Sequence, residues 1–472
     1  MDQVGGSTEW TKPAIEDFLS KLDYSYHKIA LPFGLNTKGI KHNWLIELIF
    51  GDSLRGKTVL DLGSYLGYFS LEACMRDADH VVGLEIDPMR IKEAQIIAEI
   101  KGLKPEYRLG DIESIDIEES FDIVLCLNLL HHLYNPIGVL NKITRITKQN
   151  LIIEFASFGK HDSEKLKLSR GLRKALNKGS LILVQPGIPK IGQRIESQKY
   201  FFSEKALVNI LKNHTKLFSK VEVFPSNFKN RKVIRATRRK IGHLVVVAGP
   251  TSSGKSSFIK AIKTKSLNPA IIDKMPENIT KWPQIGASHF LTHGRTVDNE
   301  YLSADPLEGL LLHYDFLRPY TAGTHDYNRD QILDLIDCSE QLTVFTITPE
   351  KNQLINQLVN NELGGKRPGL NDSNKAGLHK IIFKKNTLFS LNRLKGLFRK
   401  FLVALGLLPP KKRSTHHQKL YFHYQEDGWL DFWYDKWFDF LRAKKKDCSS
   451  VVVAPGPANK FQWLLRQDNR MG

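Results

Sequence analysis

The stretch TVLDLGSYLGYFS, residues 58–70, decides how the first half of the chain is read. Val59, Leu60 and Leu62 form a short apolar run interrupted by Asp61, the pattern of a strand buried in a parallel sheet. A Gly-x-x-x-Gly turn from Gly63 to Gly67 follows at once, and a helical pattern begins behind it. Glycines in such a turn admit positive φ and let the backbone come close to a ligand. Asp61, at the strand end, can steer the turn or accept a hydrogen bond from a cationic amine.

Working outward, VVGLEID (81–87) supplies a second strand ending in Glu85. An acidic group about twenty residues after a glycine turn can take both hydroxyls of a ribose. Asp111 and Ile112 in LGDIE follow a third strand at 107–109, where a carboxylate can meet an adenine amino group. FDIVLCLNLLHHLYNP (121–136) gives a fourth strand that runs out at Asn128. Further strand candidates lie at 151–154, 221–224 and 232–236, and a second series runs through 244–248, 270–273, 310–314, 342–348 and 451–454. Strands alternating with helical patterns indicate α/β architecture with parallel sheets. The restart predicts two doubly wound sheets, a Rossmann-like domain over 1–240 and a second domain over 241–472. RATRRKIG (235–242) between them, polar and basic, reads as a short linker.

The length of 472 residues, with 41% apolar and 25% charged side chains, fits a multidomain globular protein and excludes fibrous or disordered classes. Four cysteines without a CxxC pair give no support to a zinc site or a disulfide scaffold. The N-terminal MDQVGGSTEWTKPAIEDF lacks the plan of a signal peptide, and no apolar run approaches the ~20 residues of a membrane span. A cytoplasmic location is expected. Residues 1–120 carry 13 basic and 21 acidic side chains, whereas 121–240 carry 24 and 7. The basic part predicts an anionic partner, a phosphorylated small molecule or RNA.

The order of glycine turn, acidic second-strand end and Asp-Ile loop resembles the class I S-adenosylmethionine-dependent methyltransferases over roughly residues 35–240. The resemblance implies that Asp61, Gly63 and Gly67 surround the methionine portion, Glu85 the ribose and Asp111 with Ile112 the adenine. Asn128 would stand beside the methyl-donor end. Only the outer glycines of the family's Gly-x-Gly-x-Gly pattern persist. GLNTKG (34–39) and YFFSEKALVNIL (200–211) are similar to the branch that includes tRNA wobble-uridine modifying enzymes. A dinucleotide-binding dehydrogenase would need G-x-G-x-x-G, which is absent. His131 and His132 follow the fourth strand; His132 is the candidate general base, and His131 reads as a packing residue. The insertion from 156 to 199 brings Arg170, Arg173 and Lys174, which can hold phosphates or form a solvated basic face.

HLVVVAGPTSSGKSSFIK (243–260) is a buried strand, a GxxxxGKS loop and a helix. Here the backbone of Gly249, Pro250, Thr251, Ser252, Ser253 and Gly254 can cradle a triphosphate, with Ser257 at the start of the helix also expected to bind the nucleotide. Lys255 reaches the outer phosphates as the catalytic cation, and Ser256 can ligate Mg²⁺. Asp315 is the expected metal-side carboxylate, with Asp273 as the second choice. The loop resembles nucleoside and small-molecule kinases and tRNA prenyltransferases, which implies ATP and Mg²⁺ as cofactors. Residues 384–413, with nine Lys or Arg and no acid, read as a lid, a packed helix pair or a peripheral membrane contact. The aromatic stripe Trp429, Trp433, Trp437 and Phe440 reads as core. The expected protein is a methyltransferase fused to a kinase-like module; its alternative is a methyltransferase controlled by a non-catalytic ATP-binding domain.

Overall fold

The computed structural model describes residues 10–23, 25–41, 43–156, 164, 169–185, 199–228, 231–286, 306–317, 331–363, 365, 415–443, 448–456 and 462–466. The basic 384–413 stretch, Lys165, Lys167, Lys366 and Arg367 lie outside them. The chain divides into two compact units, one ending at Lys240 and the other opening at Ile241.

The first unit is built on strands β1 (Thr58–Leu62), β2 (His80–Glu85), β3 (Glu106–Leu109), β4 (Phe121–Leu127), β5 (Thr147–Ala156), β8 (Phe218–Pro225) and β9 (Arg231–Arg238), with a separate hairpin of β6 (Ile182–Gln185) and β7 (Lys199–Phe202). The sheet order is β3-β2-β1-β4-β5-β9-β8, parallel except that β9 runs against both β5 and β8. Strand order reverses between β1 and β4, which makes their C-terminal ends the place where a crevice opens. Val59, Leu60, Val124 and Leu125 are fully or almost fully buried, as strands covered on both faces require. The covering helices start where capping chemistry dictates. Asp87 accepts from Met89 N–H and Pro88 opens Pro88–Ile100, while Asn135 accepts from Gly138 N–H ahead of Pro136–Ile146.

The second unit carries β10 (Ile241–Gly249), β11 (Gln284–Gly286), β12 (Leu307–Asp315), β13 (Ser339–Ile347), β14 (Cys448–Pro455) and β15 (Trp463–Arg466) in the order β11-β12-β10-β13-β14-β15. All neighbours are parallel but β14 and β15. The largely apolar β10, polar only at His243, sits at the centre, and its C-terminal end feeds the glycine-rich loop. Helix Trp429–Arg442 packs by Trp437, which stacks on Phe316 and donates through Nε1 to Thr346 Oγ1 at 3.0 Å. Trp433 and Trp437 are core, as their helical spacing predicts.

Two expectations are corrected. Residues 270–273 do not form a strand: Pro269–Ile272 is a short helix, capped by Asn268 Oδ1 accepting from Ala270 N–H at 3.0 Å. The Asn-Pro start signal outweighs a four-residue apolar run. The polar stretch 235–242 is not a linker either, since β9 continues to Arg238 and β10 opens at Ile241. Arg238 and Arg239 are buried against backbone carbonyls. Arg238 donates to Thr144 O at 2.8 Å, and Arg239 donates to Lys216 O and Phe218 O, each at 3.0 Å. A guanidinium offers five donors, so a run of arginines can close a sheet edge as well as face solvent.

Candidate functional site

The C-terminal ends of β1, β2, β4 and β5 open on a cavity of about 1200 Å³. Asp61, Gly63 and Glu85 line it from the first two strands, and Asp111, Ile112, Asn128 and His132 from the loops after β3 and β4. Parallel strands place their ends on one edge, so Asp61 and His132, 71 positions apart in the chain, meet there.

The glycine turn is held from beneath. Gly63 N–H and Ser64 N–H both donate to Leu84 O, at 2.8 and 3.1 Å, and Glu85 Oε2 accepts from Tyr65 N–H at 2.8 Å. Gly63 and Gly67 have φ of +67° and +75°, where a side chain is strained. Gly67 does not line the cavity. It is glycine because Tyr107 crosses it: a Cβ there would lie 1.8 Å from the phenolic oxygen.

Glu85 is buried, and Oε1 also accepts from Ile86 and Asp87 N–H at 2.9 and 3.1 Å. A carboxylate has about four lone-pair directions, so roughly one is left for a ligand. Asp61 is 2% exposed and accepts from Ser70 Oγ at 2.8 Å. Burial pushes its carboxyl up to about 6, and the charge of Glu85 adds to the effect. Asn128 is held at φ +56° with its N–H on Glu154 O at 2.9 Å, and its Oδ1 is buried without a partner. An orphaned acceptor at a cavity wall marks where a ligand donor belongs.

The two histidines separate. His131 is buried behind the cavity, and desolvation, then the charges of His132, Lys199 and Arg231, bring it down to about 3. His132 lines the cavity with its outer edge exposed; desolvation on the side packed against the protein, then the charges of Lys199 and Arg231, lower it from its ordinary value and favour the neutral ring. Asp111 turns inward on its own loop, Oδ1 accepting from Glu113 N–H at 2.9 Å. The helix Arg170–Lys178 leaves Arg170, Lys174 and Lys178 exposed.

Sequence reasoning missed the strap 25–40 and the β5 end. Tyr26, His27 and Lys38 of the strap line the cavity. His27 stacks on Tyr68 at 4.7 Å and 5°, and Thr37 Oγ1 donates to His27 O at 2.7 Å. Glu154, opposite Leu127 in the register, is buried on the cavity wall, accepts from Ser226 Oγ at 2.7 Å and lies 3.7 Å from Arg231. Its signal was present: it ends an apolar strand run, as Asp61 and Glu85 do.

Residues 53–195 match the family model described as a methyltransferase domain. Over these residues the first unit is similar to a methyltransferase domain. Ubiquinone biosynthesis O-methyltransferase of Hahella chejuensis is 32% identical to this chain over 111 residues, 23% of this chain and 46% of that protein. The enzyme of the same name in Pseudomonas putida F1 is 30% identical over 124 residues, 26% of this chain and 52% of its own. The chain therefore spans about half the length of the curated relatives it matches. Among solved structures, the N-terminal domain of EvdMO1 with SAH and D-fucose is 19% identical, with 49% of this chain and 98% of that chain covered and a TM-score of 0.37. Magnesium protoporphyrin IX methyltransferase (ChlM) from Synechocystis PCC 6803 with bound SAH is 20% identical, with 42% and 81% covered and a TM-score of 0.31.

The second unit gathers polar groups at the end of β10. The loop 249–254 turns into helix Lys255–Lys263 through Gly254 at φ +94° and Ser252 at φ +65°. Lys255 is 4% exposed, and its Nζ donates to Gly249 O at 2.9 Å and Pro250 O at 2.6 Å. Asp315, paired in register with Gly249, accepts from Thr251 Oγ1 at 2.5 Å and lies 3.6 Å from Lys255 Nζ. Tyr424 closes the loop from above, its phenol donating to Thr251 O at 2.9 Å. Ser252 Oγ and Ser253 Oγ are buried without partners. Ser256 Oγ faces His313 Nε2 at 3.3 Å rather than Asp315. Ser257 follows on the same helix, and Asp273 is exposed at the end of Pro269–Ile272, away from any strand edge.

Proposed function

We propose that the first unit transfers a methyl group from S-adenosylmethionine to an anionic acceptor, and that the second binds ATP with a divalent cation and transfers phosphate. The observation that carries the first part is the convergence of Asp61, Glu85 and the orphaned Asn128 Oδ1 on one cavity at a strand-order reversal. In this reading Asp61 faces the cationic amine, Glu85 offers its last lone pair to the ribose, and Asn128 accepts from a donor at the reacting end. When bound, S-adenosylmethionine supplies a methyl group made electrophilic by a sulfonium. His132, neutral and at the cavity, takes the acceptor's proton. The strap 25–40 excludes water and orients the acceptor, since proximity beside an activated methyl supplies much of the acceleration. Lys199, Arg231 and Lys38 around that end favour a phosphorylated small molecule or RNA over a cation.

For the second part, the support is a GxxxxGKS loop between a central parallel strand and a helix, with two unpartnered buried hydroxyls. Backbone N–H groups of the loop would hold the phosphates, and Lys255 would exchange its loop carbonyls for phosphate oxygens. The second reading, a non-catalytic nucleotide switch, is favoured by one observation: Lys255 is already bonded to carbonyls of its own loop and lies 3.6 Å from Asp315 at the end of β12. ATP turnover by the full chain decides between them, with methyl transfer to phosphorylated metabolites and to RNA measured in parallel. Turnover supports a kinase, whereas binding without turnover supports the switch.

A further inference from the structure

Ser256, in the first turn of helix Lys255–Lys263, meets a histidine where a carboxylate is expected. Its Oγ lies 3.3 Å from His313 Nε2. That is just beyond the usual 2.7–3.2 Å of a hydrogen bond between nitrogen and oxygen. It is the separation of two neighbouring ligands on one cation, since bonds of about 2.2 Å at right angles hold their donors about 3 Å apart. Asp315 is two residues along β12 and so on the same face of the strand. Its carboxylate is committed to Thr251 Oγ1 and Lys255 Nζ. The position on Ser256 is thereby left to an imidazole. In the same loop Ser253 Oγ is fully buried and unpartnered, a second sign that a ligand completes the site.

We propose that His313 is a metal ligand of the glycine-rich-loop site, which with Ser256 gives a mixed nitrogen and oxygen donor set selective for a first-row transition cation such as Mn²⁺ over Mg²⁺. Magnesium prefers all-oxygen surroundings and dehydrates reluctantly, whereas imidazole suits first-row transition cations. Among the described residues no three His, Cys, Asp or Glu side chains converge on one point. The remaining positions therefore come from phosphate oxygens and water, and the cation binds with the nucleotide rather than ahead of it. The inference rests on the reading of 249–256 as a phosphate-binding loop.

The test uses the full chain with Mn²⁺ and the β,γ-methylene analogue of ATP. Loss of the free Mn²⁺ signal in electron paramagnetic resonance reports binding. Pulsed spectra of the bound ion then report any directly coordinated nitrogen, assigned to histidine by comparing protein grown with ¹⁴N- and ¹⁵N-histidine. A histidine coupling that changes with the isotope in the wild type and vanishes in His313→Asn is the expected result, together with a Mn²⁺-over-Mg²⁺ preference that falls about tenfold in the variant. Tight Mn²⁺–nucleotide binding without a histidine coupling overturns the inference and leaves the phosphate-loop reading standing, as does a coupling that survives in His313→Asn. Absence of nucleotide binding removes both. The isotope comparison needs no variant, so it decides even if His313→Asn does not fold.

Discussion

Gly67 and Tyr107 occupy one space: the phenol of a β3 residue fills the volume that any side chain on the glycine turn would need, 1.8 Å from where a Cβ would stand. Tyr107 Oη is itself buried without a partner. Gly67→Ala should lower stability by about 2–4 kcal/mol, from the left-handed backbone and the clash together. Tyr107→Phe should cost little or stabilise, because a buried unpaired hydroxyl is removed. Denaturant unfolding of the two variants and their double mutant checks this, and a coupling near zero would show that the two residues do not contend.

Asp61 should make cofactor binding depend on pH. Its carboxyl titrates at about 6 in the folded protein, above its ordinary value of 3.8. A cationic ligand prefers the ionised form, so affinity should fall as pH drops through 6 and level off above 7. Stability runs the other way. The folded state holds the proton more tightly than the unfolded chain, so the contribution of Asp61 is fully present below about 4 and is lost as pH rises to about 6. Asp61→Asn should therefore gain roughly 1–3 kcal/mol relative to wild type on going from pH 4 to pH 7 while binding the cofactor more weakly. Chemical denaturation at the two pH values, with calorimetry alongside, measures both.

Arg239 and Lys240 are adjacent and both basic, yet only the first is buried, with its guanidinium on two carbonyls. Arg239→Ala should destabilise the first unit by about 2–4 kcal/mol, since it leaves both carbonyls unpaired. Lys240→Ala should leave the melting temperature unchanged. Equal and small effects would return this stretch to the status of a solvated linker.

Lys255→Ala should abolish Mg²⁺- or Mn²⁺-dependent ATP turnover while leaving methyl transfer intact, because Lys255 bonds to carbonyls of its own loop and lies beside Asp315, all in the second unit. Parallel assays of the two activities read this out. If methyl transfer also stops while S-adenosylmethionine still binds, nucleotide occupancy governs the first unit.

Much of this was legible because buried parallel strands announce themselves as apolar runs and their ends carry the chemistry. Asp61, Glu85 and Asn128 each stand where a strand stops, and the cavity gathers them. Arg238 and Arg239 were misread because charge along the chain says nothing of the carbonyls a guanidinium will find. The segment 270–273 failed because four apolar residues suit a strand or a helix, and Asn268 with Pro269 settles it locally. The strap 25–40 has no period to read. Thr37 holds it through single hydrogen bonds, and Gly39 fits because its missing Cβ would lie 2.7 Å from the His27 backbone. His313 was hidden in an apolar strand, its meaning set by a register with β10 that the sequence does not print.

Calorimetric titration of the full chain with S-adenosylmethionine, in the wild type and in folded Glu85→Ala, tests the central claim most directly. Glu85 both braces the turn at Tyr65 and offers a charged acceptor to the ribose, and charge-assisted bonds contribute about 1.5–3 kcal/mol each. The account predicts binding at one site per chain, weakened at least tenfold in the variant. No binding to the wild type, or equal affinity in the folded variant, would contradict it.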